Sequence, residues 1–267
     1  MTAVIVAGAA GRMGGLIIQA VLDTRGLTLA GAYERPDHPD IGRDAGLVAG
    51  LGEIGVPLQG ALEQVIEAGE VIIDFSLPPA TMSNLEMAAP AGRAMVIGTT
   101  GFNPDELARI KTLALDTRVV LAPNMSVGVN LLFEVVGEVA RILGPDYDLE
   151  IVEAHHRMKK DAPSGTAVRL AEVLAEATGR RLADSAVYGR QGIIGQRRSD
   201  EIGVLAVRAG DIVGEHTVLF GGIGERIEIT HRAHSRDTFA RGAVRAAAWI
   251  VDQEPGLYDM QDVLGLR

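Results

Sequence analysis

The chain has 267 residues, 25 of them Lys or Arg and 35 Asp or Glu, and its formal net charge of −10 at pH 7 repels nucleic acid and anionic membrane over most of the surface. With 47% hydrophobic and 22% charged residues, it has the composition of a globular protein, which excludes disordered and fibrous classes and leaves room for one large domain or two. It has no cysteine, which removes disulfides, thiolate metal sites, iron–sulfur clusters and a cysteine nucleophile; with no export signal and no apolar run near the ~18 residues of a membrane helix, the expected location is the cytoplasm.

Apolar, β-branched runs at 3–7, 27–33, 71–74, 94–97 and 118–121 predict buried strands. Between them, three-and-four spacing of apolar residues predicts helices over 13–24, 61–68, 80–89 and 104–115. That alternation implies an α/β fold with a Rossmann-type, doubly wound parallel sheet over 1–126. An apolar helix over 131–143, a strand over 150–154 and a helix over 166–177 follow. Closely spaced strands at 204–208, 215–220 and 226–231, parted by glycine-rich turns, then predict a second α+β domain over 127–236 with a mixed or antiparallel sheet. A last helix over 238–252 is expected to carry the segment 237–267 back onto the first domain.

Gly8, Gly11 and Gly14 stand between the first strand and the first helix. Small residues at such a turn let a pyrophosphate approach the backbone, and the helix N-terminus offers it amides and a positive dipole end. Ala10 occupies the place of the second glycine in the commoner fingerprint, so the same spelling also fits a tight turn in any α/β protein. Glu34, 20 residues beyond Gly14 at the end of the second strand, can accept hydrogen bonds from ribose hydroxyls. Gly98, Thr99 and Thr100, and then Ala122, Pro123, Asn124 and Met125, follow later strands, where they either border a nicotinamide or simply make turns. Asp74, Phe75 and Ser76 end another strand with the same ambiguity.

His155, His156, Arg157, Lys159 and Lys160 concentrate basic side chains in an acidic chain. Adjacent histidines on an extended strand point to opposite faces, which argues against a metal site. His155 and Lys159 would lie about 13 Å apart on a strand but within about 6 Å across a turn. Asp161, Pro163, Ser164, Gly165 and Thr166 lead into the next helix, whose N-terminus is a second anion site. The cluster suits a small dicarboxylate, held by cations and amides while an imidazole or ammonium moves a proton. A solvated basic turn is the plain alternative. His216, His231 and His234 read as surface or hydrogen-bonded structural histidines.

From Glu150 to Ala167 the sequence EIVEAHHRMKKDAPSGTA resembles the long signature of the dihydrodipicolinate reductase family at every fixed position. The resemblance extends through the glycine turn, the segments around Gly98, Asn124 and Arg208, and the region of Thr238, so it covers nearly the whole chain. It implies a reductase that uses NADPH or NADH to deliver hydride to a cyclic imine, formed from a 4-hydroxy dicarboxylate with loss of water, in the diaminopimelate route to lysine. It further implies that His155 donates and accepts a proton, that Lys159 is a second proton donor, and that His156, Gly165 and Thr166 contact the substrate carboxylate. Gly8, Ala9, Ala10, Gly11, Arg12, Met13, Glu34, Arg35, Gly98, Thr99, Thr100, Ala122, Pro123, Asn124 and Met125 would hold the cofactor. No metal is implied, and a homotetramer assembled through the second domain's sheet is expected. A semialdehyde dehydrogenase working through a thiohemiacetal is excluded by the absence of cysteine. A non-catalytic nucleotide sensor on the same fold would predict a decayed cluster at 155–167.

Overall fold

The computed structural model describes residues 1–266. In chain order the elements are β1 (Thr2–Ala7), α1 (Arg12–Leu22), β2 (Leu27–Tyr33), α2 (Ala45–Val48), β3 (Leu58–Gln59), β4 (Val71–Asp74), α3 (Pro78–Ala88), β5 (Ala94–Ile97), α4 (Pro104–Leu113) and β6 (Arg118–Leu121). Then come α5 (Val127–Leu143), β7 (Asp148–His155), α6 (Gly165–Ala177), α7 (Leu182–Ser185), β8 (Ala186–Tyr188), β9 (Ile202–Arg208), β10 (Gly214–Gly221) and β11 (Arg226–Ala233). The last elements are α8 (Asp237–Ile250), β12 (Gly256–Tyr258) and α9 (Met260–Leu264). They form two compact units, one from Met1–Val127 together with Arg236 onward, the other Gly128–Ser235.

The first unit is the expected doubly wound sheet, seven parallel strands in the order β12-β6-β5-β4-β1-β2-β3. Its central strands are near-continuous apolar runs because both faces are covered, with the buried Asp74 that ends β4 as a polar exception. Val4, Val6, Ile73, Val96 and Val120 face α1 and α8, while Ile5, Ile72, Met95, Ile97 and Val119 face α3 and α4. Each such Ile or Val, removed from water, contributes roughly 1.5–3 kcal/mol. Helix α4 starts with Pro104 behind a capping box in which Asn103 and Glu106 take each other's amide.

The helix expected over 61–68 is instead two 3₁₀ turns, Leu62–Gln64 and Ile66–Ala68. Val65 is pressed onto Gly31 of β2, where a methyl would come within 2.8 Å of its Cβ, and Gly69 lies against Ile5. Eight residues between glycines are too few to hold an α-helix against that packing. The short strands β3 and β12 lengthen the sheet at both edges; two or three residues carry no periodicity from which to read them.

The second unit's sheet is mixed, in the order β11-β10-β7-β9-β8, with β10 antiparallel to both its neighbours and β7, β9 and β8 parallel. Helices α5 and α6 cover one face through Leu132, Phe133, Val136, Leu170 and Leu174, which meet Leu149, Ile151, Val204, Val218 and Phe220. On the other face Arg190 and Arg197 bind Glu150, fastening the segment after β8 to the sheet.

Candidate functional site

In the first unit, β1 turns to β2 on one side while β4 lies on the other, so the strand order reverses between β1 and β4. Ligands of such sheets bind at the carboxyl ends of the strands flanking that point. Gly8 follows β1 with φ of 62° and closes a turn in which the Gly11 amide donates to its carbonyl at 2.9 Å. A methyl on Gly14 would lie 2.3 Å from Gly8 O and 2.6 Å from Ala9 Cα. Glycine is therefore what lets α1 begin so close to the strand end. The N-cap of α1 is Gly11, which supplies no side-chain acceptor to the opening amides, so the helix end remains available to an anion.

Gly8 and Gly11 line a cavity of about 570 Å³ with Glu34, Arg35, Tyr33, Phe75 and Asn84. Phe75 also lines a second cavity of about 240 Å³, with Arg12, Met13, Pro123, Asn124, Met125, Arg236 and Phe239. Ala9 and Ala10 border a groove of about 230 Å³ beside Arg12 and Gln19. Glu34 Oε1 accepts the Arg35 amide at 3.0 Å, and the exposed Arg35 guanidinium is 3.4 Å from Asp37. Burial and then the Asp74 charge push the Tyr33 phenol well above its usual range.

Gly98 lies under Phe75, whose ring would be 2.2 Å from a methyl there. The Thr99 hydroxyl is buried against Thr81 at 2.8 Å, whereas Thr100 is exposed. Ala122 is packed in the core. Asn124 Oδ1 accepts the Ser126 amide. Sequence reasoning assigned no role to Tyr33, Asn84, Arg236 or Phe239. The arrangement of glycines, helix end and strand-end carboxylate fits a dinucleotide.

In the second unit the chemistry gathers at the end of β7. Leu149, Ile151, Glu153 and His155 alternate onto the face covered by helices, and register places Arg208 of β9 beside His155 and His216 of β10 beside Glu153. Glu153 is 0% exposed. It accepts Arg208 Nη1 at 2.7 Å and Nη2 at 2.8 Å, the Ser164 amide at 3.0 Å, and it meets His155 Nδ1 at 2.7 Å.

The chain turns after His156, with the Lys159 amide on His156 O at 3.1 Å, and Lys159 Nζ reaches Asp161 Oδ2 at 2.8 Å. Ser164 then caps α6: its Oγ takes the Ala167 amide at 3.2 Å and lies 3.0 Å from His216 Nε2. The first intrahelical bond is Val168 N–H to Ser164 O, so Gly165 and Thr166 sit in the opening turn. His155, His156, Lys159, Gly165 and Thr166 thus fall within one strand end, one turn and one helix start. The His156 Nδ1 is buried without a hydrogen-bond partner.

The charges order themselves accordingly. Burial would raise the Glu153 carboxyl, but Arg208, His155 and the Ser164 amide outweigh it and hold the group below the usual range. Burial lowers His155, Glu153 opposes that shift, and the nearby Lys159 and Arg208 charges add to it. Lys159 holds Asp161 low. His216, 3% exposed, is pushed down to about 3 by burial and then by His155. Glu153 and Arg208 were given no role from sequence, whereas His216, read as a surface or hydrogen-bonded structural histidine, is buried with Nε2 against Ser164. The signal for Glu153 was nonetheless present, because period-two alternation from Leu149 and Ile151 puts a carboxylate on the buried face, where it must be paired. Among the described residues no group of three or more His, Asp or Glu is arranged to hold a metal ion, and no helix is long and apolar enough to cross a membrane.

Comparison with known proteins matches residues 2–125 to the family described as dihydrodipicolinate reductase, N-terminus, and residues 128–264 to dihydrodipicolinate reductase, C-terminus. The chain is 59% identical over 267 residues to the 4-hydroxy-tetrahydrodipicolinate reductase of Citrifermentans bemidjiense, and 57% identical over the same length to that of Geobacter sulfurreducens, covering 100% of both chains in each case. Among solved structures it resembles a dipicolinate-bound dihydrodipicolinate reductase from Paenisporosarcina sp. TG-14, with a TM-score of 0.77, 25% identity and 98% of each chain covered.

Proposed function

Because the chain belongs to the dihydrodipicolinate reductase family, we propose that it reduces 4-hydroxy-tetrahydrodipicolinate, dehydrated to its cyclic imine, to tetrahydrodipicolinate. It is an NAD(P)H-dependent oxidoreductase with a Rossmann-type first unit. The bound reduced nicotinamide supplies the hydride. Gly8, Ala9, Ala10, Gly11, Arg12 and Met13 would hold the pyrophosphate with backbone amides and the end of α1, and Glu34 and Arg35 the adenosine ribose. Gly98, Thr99, Thr100, Ala122, Pro123, Asn124 and Met125 would hold the nicotinamide side.

His155 is assigned as proton donor and acceptor through Nε2, the nitrogen not engaged by Glu153. Lys159, partly exposed, is assigned as the second proton donor. His156 and the amides of Gly165 and Thr166 at the start of α6 are assigned to the substrate carboxylates, which a helix N-terminus favours. The observation that carries this assignment is the folding of the signature Glu150 to Ala167 into a strand ending on His155, a turn bearing Lys159 and the N-terminus of α6.

A homotetramer in the cytoplasm, serving lysine biosynthesis through diaminopimelate, completes the proposal. Supporting assembly, the sheet face turned away from α5 and α6 carries Val152, Leu205, Val207 and Leu219, none of them fully buried. The decisive experiment supplies freshly generated 4-hydroxy-tetrahydrodipicolinate with NADPH or NADH and follows loss of reduced-nicotinamide absorbance. Substrate-dependent oxidation is expected; its absence with both cofactors overturns the proposal.

A further inference from the structure

Four donors converge on the two oxygens of Glu153: two guanidinium N–H groups from Arg208, the Ser164 amide and His155 Nδ1. A carboxylate has four acceptor sites and no proton to give, so all four contacts are satisfied only if His155 carries its hydrogen on Nδ1. An amide in the same place would turn an NH₂ group toward Arg208 or the Ser164 amide, donor against donor. The guanidinium is itself anchored, with Nη2 on Asp161 O at 2.6 Å and Nη1 on Val207 O at 2.7 Å. The other ring nitrogen, Nε2, lies at Gly214, where a methyl would come within 3.1 Å of it. The groups facing His155 are therefore Glu153 on its own strand, Arg208 on β9, His216 on β10 with ring centroids 5.2 Å apart, and Lys159, paired with Asp161, in the turn.

We infer that Glu153, clamped by Arg208, is a positioning residue that fixes His155 with Nδ1 protonated and Nε2 as the proton-transferring atom, and that it couples this ring to the N-terminus of α6 through the Ser164 amide. The inference rests on the proposed role of His155. Glu153 does not take part in the proton transfer; it selects the tautomer and favours the imidazolium that forms when Nε2 takes a proton. One carboxylate thereby sets both the proton donor's orientation and the seat of the helix end assigned to the substrate carboxylate.

The test combines ¹⁵N-histidine NMR with kinetics on the full-length protein, the His155 signals being identified by their loss in His155→Gln. Wild type should show the Nδ1–H tautomer at neutral pH. Glu153→Gln should populate the Nε2–H form, lower kcat by roughly tenfold or more with the KM for reduced cofactor unchanged, and move the His155-dependent limb of the kcat profile to lower pH, because the charge that favours the imidazolium is gone. Arg208→Lys keeps a cation opposite Glu153 and should retain the Nδ1–H tautomer with a smaller loss of kcat. An Nε2–H tautomer in wild type overturns the inference and needs no variant. So does a folded Glu153→Gln protein with unchanged tautomer and pH limb. Failure of the wild-type protein to turn over the substrate would instead strike the proposed reaction, since the tautomer is read without it.

Discussion

The glycine turn of the first unit and the strand end of the second are built on opposite principles. At Gly8, Gly11 and Gly14 the site is made by side chains that are missing, so that backbone amides and a helix end can come close to a ligand. At Glu153, His155 and His216 it is made by buried ionisable side chains, with the partly exposed Arg208 beside them, tied to one another and to Ser164 by hydrogen bonds. A site of the first kind is sensitive to volume and almost indifferent to pH; one of the second kind is sensitive to charge and tolerates little change in proton count.

The largest effect should come from volume. Gly14→Ala places a methyl 2.3 Å from Gly8 O, and the resulting displacement of α1 is expected to weaken NADPH binding by roughly 10²-fold and destabilise the fold by about 1–3 kcal/mol. Fluorescence titration and thermal melting measure both, and a Kd within about twofold of wild type would show that the turn yields more than its contacts imply. Next come the two groups proposed to move protons. His155→Gln and Lys159→Ala should each lower kcat by roughly 10²-fold while leaving cofactor affinity nearly unchanged. Equal losses in affinity and turnover would make the cluster structural.

The pH contrast is read most directly through His216. Its folded value of about 3 lies below the ordinary 6.5, so between those limits the unfolded chain binds a proton that the native protein does not. Stability from the neutral ring is complete above about pH 6.5 and is lost as pH falls toward 3. From about pH 6 to pH 4, the wild type should therefore lose about 1.4 kcal/mol per pH unit more than His216→Gln. Parallel curves from denaturant melts would refute the burial of a neutral imidazole. The smallest effect is expected at Arg35, exposed and paired with Asp37. Beside Glu34 it should permit both cofactors, and Arg35→Ala should lower kcat/KM for NADPH by about fivefold, the scale of a surface ion pair near 1 kcal/mol, with NADH unaffected. An equal effect on both cofactors would show that the guanidinium does not meet the 2′-phosphate.

What the sequence revealed follows the same division. The parallel sheet was legible because its strands are continuous apolar runs separated by periodic helices, and the glycine turn because its spelling is local. The signature from Glu150 to Ala167 was legible for the same reason: one strand end, one turn and one helix start are contiguous in the chain. Arg208 and His216 were not, since their relation to Glu153 exists only in the register of β9 and β10 against β7. Residues 61–68 misled because helix propensity was outweighed by Val65 seating on Gly31 of a distant strand. Strands β3 and β12 are too short to show a period at all.

Helix α8 lies against α1, β4, β5 and β6, and a methyl on its Gly242 would come within 1.7 Å of Met125 O. On the ribosome, every strand from β1 to β6 emerges well before this helix, and all of Gly128–Ser235 is made in between. Through that interval Val96 and Val120 lack their covering residues, Ala243, Ala247 and Ile250 among them. The second unit, continuous in the chain, can close as soon as it is synthesised, whereas the first must wait with an apolar face uncovered. The first unit's core is therefore completed only by the last part of the chain, across an insertion that contributes nothing to it.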